Sequence, residues 1–285
     1  MNLGTGWREE KGGLSEMLEL NKIYNMDCLE GMKYIDDKSI DMILCDLPYG
    51  TTDCKWDICI PLDKLFEQYR RIIKDNGVIA LFGCEPFNTK LRNTAFDIFK
   101  YDWIWLKNKA TGFQHAKNRP MNIYEVISIF SKGSMGHKSL LGEKRMVYNP
   151  QGLVYFGKET SGCKNKFGHT VGARPSHKDR VFQEFTNYPT NVLKYDVPPN
   201  NKERIHSTQK PVDLCEYLIK TYTYEGELVL DNCIGSGTTA IACINTGRNY
   251  IGFEIDPDYY EAALERIRIH MQQQTIFELL KGGQP

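Results

Sequence analysis

The chain has 285 residues, of which 41% are hydrophobic and 25% are charged, with 36 basic and 36 acidic side chains. This composition is typical of a globular protein and excludes disordered, collagen-like and coiled-coil chains. No apolar run approaches the roughly 20 residues that span a bilayer, and the nine cysteines form no C-x-x-C pair, so we expect a cytoplasmic protein with reduced thiols and no metal site.

Short apolar runs alternate with amphipathic stretches after a weakly patterned lead-in at residues 1–20, which we expect to be poorly ordered. Strands are predicted at Ile23–Met26, Asp41–Cys45 and Val78–Phe82, and helices at Pro61–Lys74 and Pro86–Phe96. Strands separated by helices predict βαβ units and a parallel sheet. Two further apolar runs, Tyr101–Lys107 and Tyr124–Ser131, have no helix between them and are predicted to pair antiparallel at a sheet edge.

The middle of the chain is basic and lacks helical periodicity between about residues 131 and 205. Residues 100–210 hold 19 basic and 8 acidic side chains, a net charge of +11, whereas the rest of the chain carries −11. A basic segment in an acidic scaffold indicates a surface that faces a polyanion, although the charge alone fits a solvated face equally well. We therefore predict one domain at residues 21–285, with an insertion at about 131–205.

Regular α/β order returns after the insertion. The predicted elements are helix Val212–Tyr222, strand Glu227–Asp231, helix Thr238–Thr246, strand Asn249–Glu254 and a last helix that follows Asp256–Pro257 and ends near Leu280. The fold class that follows is α/β, with a mostly parallel, Rossmann-like sheet and helices on both faces.

Residues 228–240 read LVLDNCIGSGTTA, so a strand that ends at Asp231 enters a G-x-G turn at Gly235 and Gly237. Backbone N–H groups at such a turn can approach a nucleotide closely. Glu254 ends the next strand, 19 residues after Gly235, where a carboxylate can accept hydrogen bonds from both ribose hydroxyls. The absence of G-K-[ST] argues against a phosphate-binding loop and leaves a dinucleotide, as in a dehydrogenase, or an adenosyl cofactor.

The strand Asp41–Cys45 is followed directly by Asp46-Leu47-Pro48-Tyr49. Ligands bind at this end of the strands in an open parallel sheet. The tetrapeptide supplies a carboxylate, a carbonyl held before a proline and an aromatic face. A turn that merely ends the strand is the structural alternative, and the glycine turn in the same chain favours a catalytic role.

With these residues the sequence resembles the amino-group DNA methyltransferases, which use S-adenosylmethionine and carry a D/N/S-P-P-Y/F/W motif. This chain has Leu47 where the first proline is usual. Further segments that resemble the family's motifs are Gly83–Phe87, Trp103–Lys107, Tyr124–Glu125 and the H-S-T-Q-K-P run His206–Pro211. The order of the motifs, with the tetrapeptide before the insertion and the glycine turn after it, is that of the β group, and the resemblance covers most of the chain.

The resemblance implies a seven-stranded methyltransferase sheet and methyl transfer to adenine N6 in double-stranded DNA, with the base flipped out of the duplex. Adenine is preferred because cytosine enzymes of the family mostly have Ser where this chain has Asp46, and cytosine N4 is the alternative. RNA or protein-amide methyltransferases of similar fold typically have Asn there and lack the basic insertion. A nicotinamide dehydrogenase is a further alternative, and the intact Asp46-Leu47-Pro48-Tyr49 argues against a catalytically silent DNA-binding relative.

The resemblance also assigns roles to residues. The Asp46 carboxylate and the Leu47 carbonyl accept hydrogen bonds from the target amine, and Tyr49 stacks on the base. Catalysis then depends on positioning and electrostatics. The catalytic set is Asp46, Leu47, Pro48 and Tyr49. The residues expected to bind the cofactor are Asp27, Asp46, Thr208, Lys210, Asp231, Gly235, Gly237, Thr238 and Glu254.

Basic side chains interleaved with Phe167 and Phe182 occupy a glycine-rich part of the insertion, which suits phosphate neutralisation and base contacts. The residues expected to bind DNA are Lys164, Lys166, Arg174, Lys178 and Arg180. Members of the family are often dimers, and the sequence leaves a homodimer open. The 285 residues contain no nuclease motif, so we expect any restriction endonuclease to be a separate chain.

Overall fold

The computed structural model describes residues 7–10, 13–16, 18–50, 59–136, 141–161, 180–199 and 209–282, with secondary structure only for residues 7–16 and 276–282. The strands are β1 (Trp7–Glu10), β2 (Gly13–Glu16), β3 (Lys22–Asn25), β4 (Ile40–Cys45), β5 (Ile73–Gly83), β6 (Phe99–Thr111), β7 (Asn122–Phe130), β8 (Val154–Ser161), β9 (Arg180–Thr186), β10 (Val192–Lys194), β11 (Leu228–Asp231) and β12 (Asn249–Glu254). The α-helices are α1 (Cys28–Met32), α2 (Leu62–Ile72), α3 (Phe87–Thr94), α4 (Val212–Tyr222), α5 (Thr238–Thr246) and α6 (Pro257–Gly282).

Eight of the described strands form one sheet, in the order β10-β6-β7-β5-β4-β11-β12-β3. Strands β5, β4, β11, β12 and β3 are parallel to one another, which confirms the prediction of a mostly parallel sheet. Strand β7 pairs antiparallel with both β5 and β6, as predicted for the two runs without an intervening helix. The sheet has eight strands and not seven because the short strand β10 pairs parallel with β6.

Side chains of the central strands alternate between two apolar layers, one on each face of the sheet. In β4, Met42 and Leu44 pack in the layer that holds α4 and α5, whereas Ile43 and Cys45 pack in the layer that holds α1, α2 and α3. Burial on both faces explains why these strands read as continuous apolar runs. The helices therefore cover both faces of the sheet, as the sequence predicts.

Prolines mark the starts of the helices. Pro61, Pro86 and Pro211 directly precede α2, α3 and α4, where a residue without an N–H costs no helical hydrogen bond. Helix α6 begins at Pro257, and the Asp256 carboxylate accepts hydrogen bonds from two backbone N–H groups of its first turn. These local signals fix where the chain leaves the strand ends and enters each helix.

The chain divides into two compact units, Pro150–Thr190 and the remainder. The smaller unit contains the antiparallel pair of β8 and β9. It is narrower than the insertion predicted at about 131–205, because Met146 and Leu193 on either side of it are buried in the core of the larger unit.

The lead-in contains a strand pair that the sequence did not predict. Strands β1 and β2 pair antiparallel, with Trp7 opposite Glu16. None of the helices in the described part of the chain has the length and apolar character needed to cross a membrane.

Candidate active site

A cavity of about 560 Å³ lies at the carboxyl ends of β3, β4, β11 and β12. These strands are neighbours in the sheet, and each is followed or ended by an acidic residue that lines the cavity. The four residues are Asp27, Asp46, Asp231 and Glu254. Parallel strands bring their carboxyl ends to one edge, so residues distant in sequence meet there. The cavity volume is in the range of small-molecule sites.

The glycine turn between β11 and α5 presents its backbone to this cavity. Gly235 has a φ of +51°, and its N–H donates a hydrogen bond to Glu254 Oε2 at 2.9 Å. A Cβ at Gly235 would meet only the Cys233 carbonyl oxygen, at 3.9 Å. Burial raises the pKa of Glu254 above its ordinary value. The space beside the Gly235 Cα is therefore open, and a side chain there would fill it. The close approach of a nucleoside that the sequence predicts requires this open space.

Gly237 faces away from the cavity, contrary to the expectation that it lines the ligand site. It is buried with a φ of +75°, and a Cβ there would lie 3.3 Å from Ile267 Cδ1 and 3.4 Å from Ala263 Cβ. Glycine is needed here for the backbone conformation and for close packing of α6 on the turn. Thr238, the next residue, does line the cavity, and its Oγ1 accepts a hydrogen bond from Arg266 at 2.9 Å.

Asp231 ties the end of β11 to the start of α5. Its Oδ2 accepts a hydrogen bond from Thr239 Oγ1 at 2.6 Å, and its Oδ1 accepts one from the Cys233 N–H at 3.1 Å. Burial raises the pKa of Asp231 to about 6, because the two hydrogen bonds only partly offset the cost of an ionised carboxylate there. Asp231 thus supports the turn and also lines the cavity.

Asp27 caps helix α1. Its Oδ1 accepts hydrogen bonds from the N–H groups of Leu29 at 2.8 Å and Glu30 at 3.1 Å, the arrangement of a helix N-cap. The side chain is exposed and lines the cavity. One carboxylate therefore has the cap geometry and the position expected of a cofactor ligand.

All four residues of the tetrapeptide Asp46–Tyr49 line the cavity. The Tyr49 hydroxyl donates a hydrogen bond to Asp46 Oδ1 at 2.7 Å. The Tyr49 ring packs on Phe87, with centroids 5.0 Å apart and the planes inclined by 34°. Burial and the nearby Asp46 and Glu125 carboxylates raise the pKa of Tyr49 well above its ordinary value, so the hydroxyl remains a donor.

Lys210 connects Asp46 to a second carboxylate. Its Nζ forms ion pairs with Asp46 Oδ2 and, at 3.3 Å, with Glu125 Oε2, and it lies 5.2 Å from the centroid of the Phe82 ring. Glu125 Oε1 forms an ion pair with Lys107. We call the four residues Asp46, Lys210, Glu125 and Lys107 the charged cluster.

The opposite charges of the charged cluster stabilise one another in a buried position. Burial disfavours the Lys210 ammonium, but the Asp46 and Glu125 carboxylates outweigh it and raise the pKa of Lys210. Burial likewise disfavours the Glu125 carboxylate, and Lys210 and Lys107 lower the pKa of Glu125 below its ordinary value. The cluster thus contains two carboxylates and two ammonium groups, which together carry no net charge. Paired charges of this kind are tolerated in a buried site.

Sequence reasoning gave no site role to Glu125 or Lys107. Both reach the cavity region through antiparallel pairing, because β7 pairs with β5 and Glu125 lies opposite Trp105 of β6. The sequence does contain a signal for Glu125, because it is the one charged residue of strand β7. A charge that must be buried usually has a partner or a function.

Some predicted site residues lie outside the described part of the chain. They are Thr208, Lys164, Lys166, Arg174 and Lys178. Arg180 begins β9, is exposed and forms an ion pair with Glu159 of β8 at 3.5 Å. Tyr155 and Phe182 on the same strand pair are also exposed. The described part of the smaller unit therefore presents both cations and aromatic rings at its surface.

Known proteins resemble the chain over most of its length. The N6/N4 methyltransferase family model, described as DNA methylase, matches residues 40–265. The Type II methyltransferase M1.MboII of Moraxella bovis is 29% identical over 265 residues, which cover 87% of this chain and 96% of that protein.

Two solved structures share the fold. The complex of M1.HpyAVI with SAM has a TM-score of 0.56 at 22% identity, covering 86% of this chain and 98% of that one. The PvuII DNA methyltransferase, described as cytosine-N4-specific, has a TM-score of 0.59 at 16% identity, covering 88% of this chain and 87% of that one. At these identities the likeness concerns the fold.

Proposed function

Because the chain belongs to the N6/N4 DNA methylase family, we propose that it transfers a methyl group from S-adenosylmethionine to the N6 amine of adenine in double-stranded DNA. The observation that carries this proposal is the placement of Asp46, Gly235 and Glu254 around one cavity. A nucleoside-binding turn and an acceptor for an amine are then adjacent, which is what transfer from an adenosyl donor to an amine requires.

The cavity fits the methyl donor of this family. S-adenosylmethionine supplies a methyl group already activated on a sulfonium. Gly235 leaves its Cα side open to the cavity, and the Glu254 carboxylate beside it suits the ribose hydroxyls. We assign to the exposed Asp27 carboxylate, which lines the cavity, a hydrogen bond from the adenine amine of the donor. Thr238 and Lys210 also line the cavity, and Lys210 forms an ion pair with Asp46 of the tetrapeptide.

The tetrapeptide side chains account for the chemistry at the target base. An exocyclic amine is a poor nucleophile because its lone pair is delocalised into the ring. The Asp46 carboxylate and the Leu47 carbonyl accept hydrogen bonds from its two N–H groups and thereby direct the lone pair at the methyl carbon. The new N–C bond forms as the S–C bond breaks, and the amine then releases one proton. Such catalysis depends on positioning and electrostatic complementarity.

The target base must leave the duplex to reach this cavity, because its amine is paired inside the stack. Tyr49 offers a ring face to the flipped base, and Phe87 supports that ring from the protein side. We assign the DNA contacts outside the cavity to the smaller unit, where Arg180 and the exposed aromatic rings supply phosphate and base contacts. We also propose DNA contacts for Lys164, Lys166, Arg174 and Lys178, as the sequence predicts.

The choice of adenine rests on Asp46, since the cytosine enzymes that the sequence resembles mostly have Ser at that position. Cytosine N4 is the second candidate. A carboxylate can serve either amine, so the chemistry of acceptance alone does not separate the two bases.

The test of the proposed class is a labelling experiment with a tritiated methyl donor. The protein is incubated with a mixed-sequence DNA duplex, with the single strands of that duplex, with RNA and with a protein mixture. We expect label in the duplex. Label confined to RNA or to protein would overturn the proposal.

A further inference from the structure

The Asp46 carboxylate is already engaged in the structure. Its Oδ1 accepts a hydrogen bond from the Tyr49 hydroxyl at 2.7 Å, and its Oδ2 forms an ion pair with the Lys210 ammonium. During the proposed reaction a third donor, the target amine, has to reach the same carboxylate. Positive charge then grows on the amine while the Lys210 ammonium is bound to the same group. Two cations on one carboxylate oppose each other, so the Lys210 contact disfavours the transition state.

Lys210 has a second acceptor within reach. Glu125 Oε2 is buried, lies 3.3 Å from Lys210 Nζ and makes no aligned hydrogen bond among the described residues. A normal ammonium–carboxylate hydrogen bond is about 2.8 Å long, so a movement of about 0.5 Å would complete it. The long lysine side chain can make that movement without a change of the backbone.

Glu125 itself is held in place. Its other oxygen, Oε1, pairs with Lys107, whose Nζ lies 5.0 Å from the centroid of the Trp105 ring. Both residues belong to the paired strands β6 and β7, in which Glu125 lies opposite Trp105. Glu125 therefore offers a fixed acceptor, and Lys210 is the member of the pair that can move.

We propose that Glu125 is a positioning residue that takes the Lys210 ammonium from Asp46 when the target amine arrives. This inference rests on the proposed function. This movement of the Lys210 side chain leaves Asp46 free to accept a hydrogen bond from the amine. The ammonium is paired with a carboxylate throughout, so the net charge of the cluster does not change. The movement of Lys210 from Asp46 to Glu125 transfers no proton and breaks no covalent bond. Lys107 holds the receiving carboxylate in place.

The test is the Glu125→Gln variant, which keeps the shape of the side chain and removes its charge. We expect its single-turnover rate of DNA methylation to fall about ten- to a hundredfold, the effect of losing one hydrogen bond between charged groups. Its dissociation constant for S-adenosylmethionine, measured by calorimetry, should stay within about twofold of wild type. The control is Asp102→Asn, which removes a carboxylate that also connects β6 and β7 but does not line the cavity.

A double variant separates this role from a structural one. If Glu125 only compensates Lys107, then Lys107→Met should restore the rate of Glu125→Gln, because no buried cation is left uncompensated. We expect no restoration. A wild-type rate in Glu125→Gln, or restoration in the double variant, would overturn the inference. A wild-type protein that binds the methyl donor but labels no DNA would instead contradict the proposed function.

Discussion

The cavity is built differently at its two ends. At the glycine turn, the groups that face the ligand are a backbone cradle at Gly235 and a carboxylate at Glu254, both within one βαβ unit. At Asp46, they are charged side chains from separate elements, and Lys210 is 164 residues away in sequence. The first end depends on local backbone conformation and the second on paired charges. Changes at the first end should therefore affect binding of the methyl donor, and changes at the second the rate of transfer.

The largest effect is expected at Asp46. Asp46→Ala removes the acceptor of the target amine, so we expect methylation of DNA to fall at least about a thousandfold. The loss of donor binding should be far smaller, because the other residues expected to bind the donor remain. The fold should persist because Glu125 still compensates Lys210. Incorporation of labelled methyl groups and calorimetry of donor binding measure the two quantities. Full activity of the variant would contradict the proposed mechanism.

The next largest effect concerns stability, at Asp231. Burial raises its pKa from 3.8 to about 6, so the folded protein holds this proton more tightly than the unfolded chain does. The free energy of unfolding therefore falls as the pH rises from about 4 to 6, by about 3 kcal/mol for a shift of about two units. Asp231→Asn should remove this part of the pH dependence. Denaturant unfolding at pH 4 and pH 7 measures it, and an equal pH dependence in both proteins would contradict the assignment.

A moderate effect is expected at the backbone cradle, where two glycines can be compared. Gly235 and Gly226 both have positive φ, +51° and +80°, so replacement of either by Ala strains the backbone similarly, by about 1 kcal/mol. A Cβ at Gly235 enters the cavity, whereas one at Gly226 meets nothing within 4 Å. We expect Gly235→Ala to weaken donor binding about tenfold or more and Gly226→Ala to leave it unchanged. Equal affinities of the two variants would place the donor elsewhere.

The smallest effect is expected at Lys164 and Lys166, which we propose to bind DNA. Charge reversal to Glu should weaken DNA binding and reduce the slope of log affinity against log salt concentration by about 0.9 for each phosphate that is no longer neutralised. Donor binding should not change, because both ends of the cavity remain intact. Fluorescence anisotropy over a range of salt concentrations measures the slope. An unaltered slope would show that these lysines do not contact DNA.

Local signals in the sequence predicted one end of the cavity better than the other. The strand, turn and acidic residue of the glycine motif are close in sequence, so Gly235 and Glu254 were identified from spacing. Glu125 and Lys107 lie in segments that resemble family motifs, but their pairing with each other depends on the register of antiparallel strands, which the sequence did not predict. The position of Gly237 was also not predictable, because its neighbours Ile267 and Ala263 belong to the later helix α6.

The predicted elements also agree with the structure where local signals mark them and differ where such signals are missing. The predicted strands and helices agree with the structure to within a few residues at most ends, because buried runs and prolines mark them. Strand β10 was not predicted, since its three residues are too few to show a periodicity. Met146 and Leu193 were assigned to the insertion because the sequence around them is rich in glycine and proline, yet both are buried in the main core.

Analysis of the product tests whether Asp46 holds an exocyclic amine for methyl transfer. Duplex DNA is incubated with the protein and S-adenosylmethionine, digested to nucleosides and measured by mass spectrometry. We expect N6-methyladenine from the wild-type protein and none from Asp46→Ala. N4-methylcytosine as the only product would contradict the choice of base, and 5-methylcytosine, methylated at carbon, would contradict the account of the site.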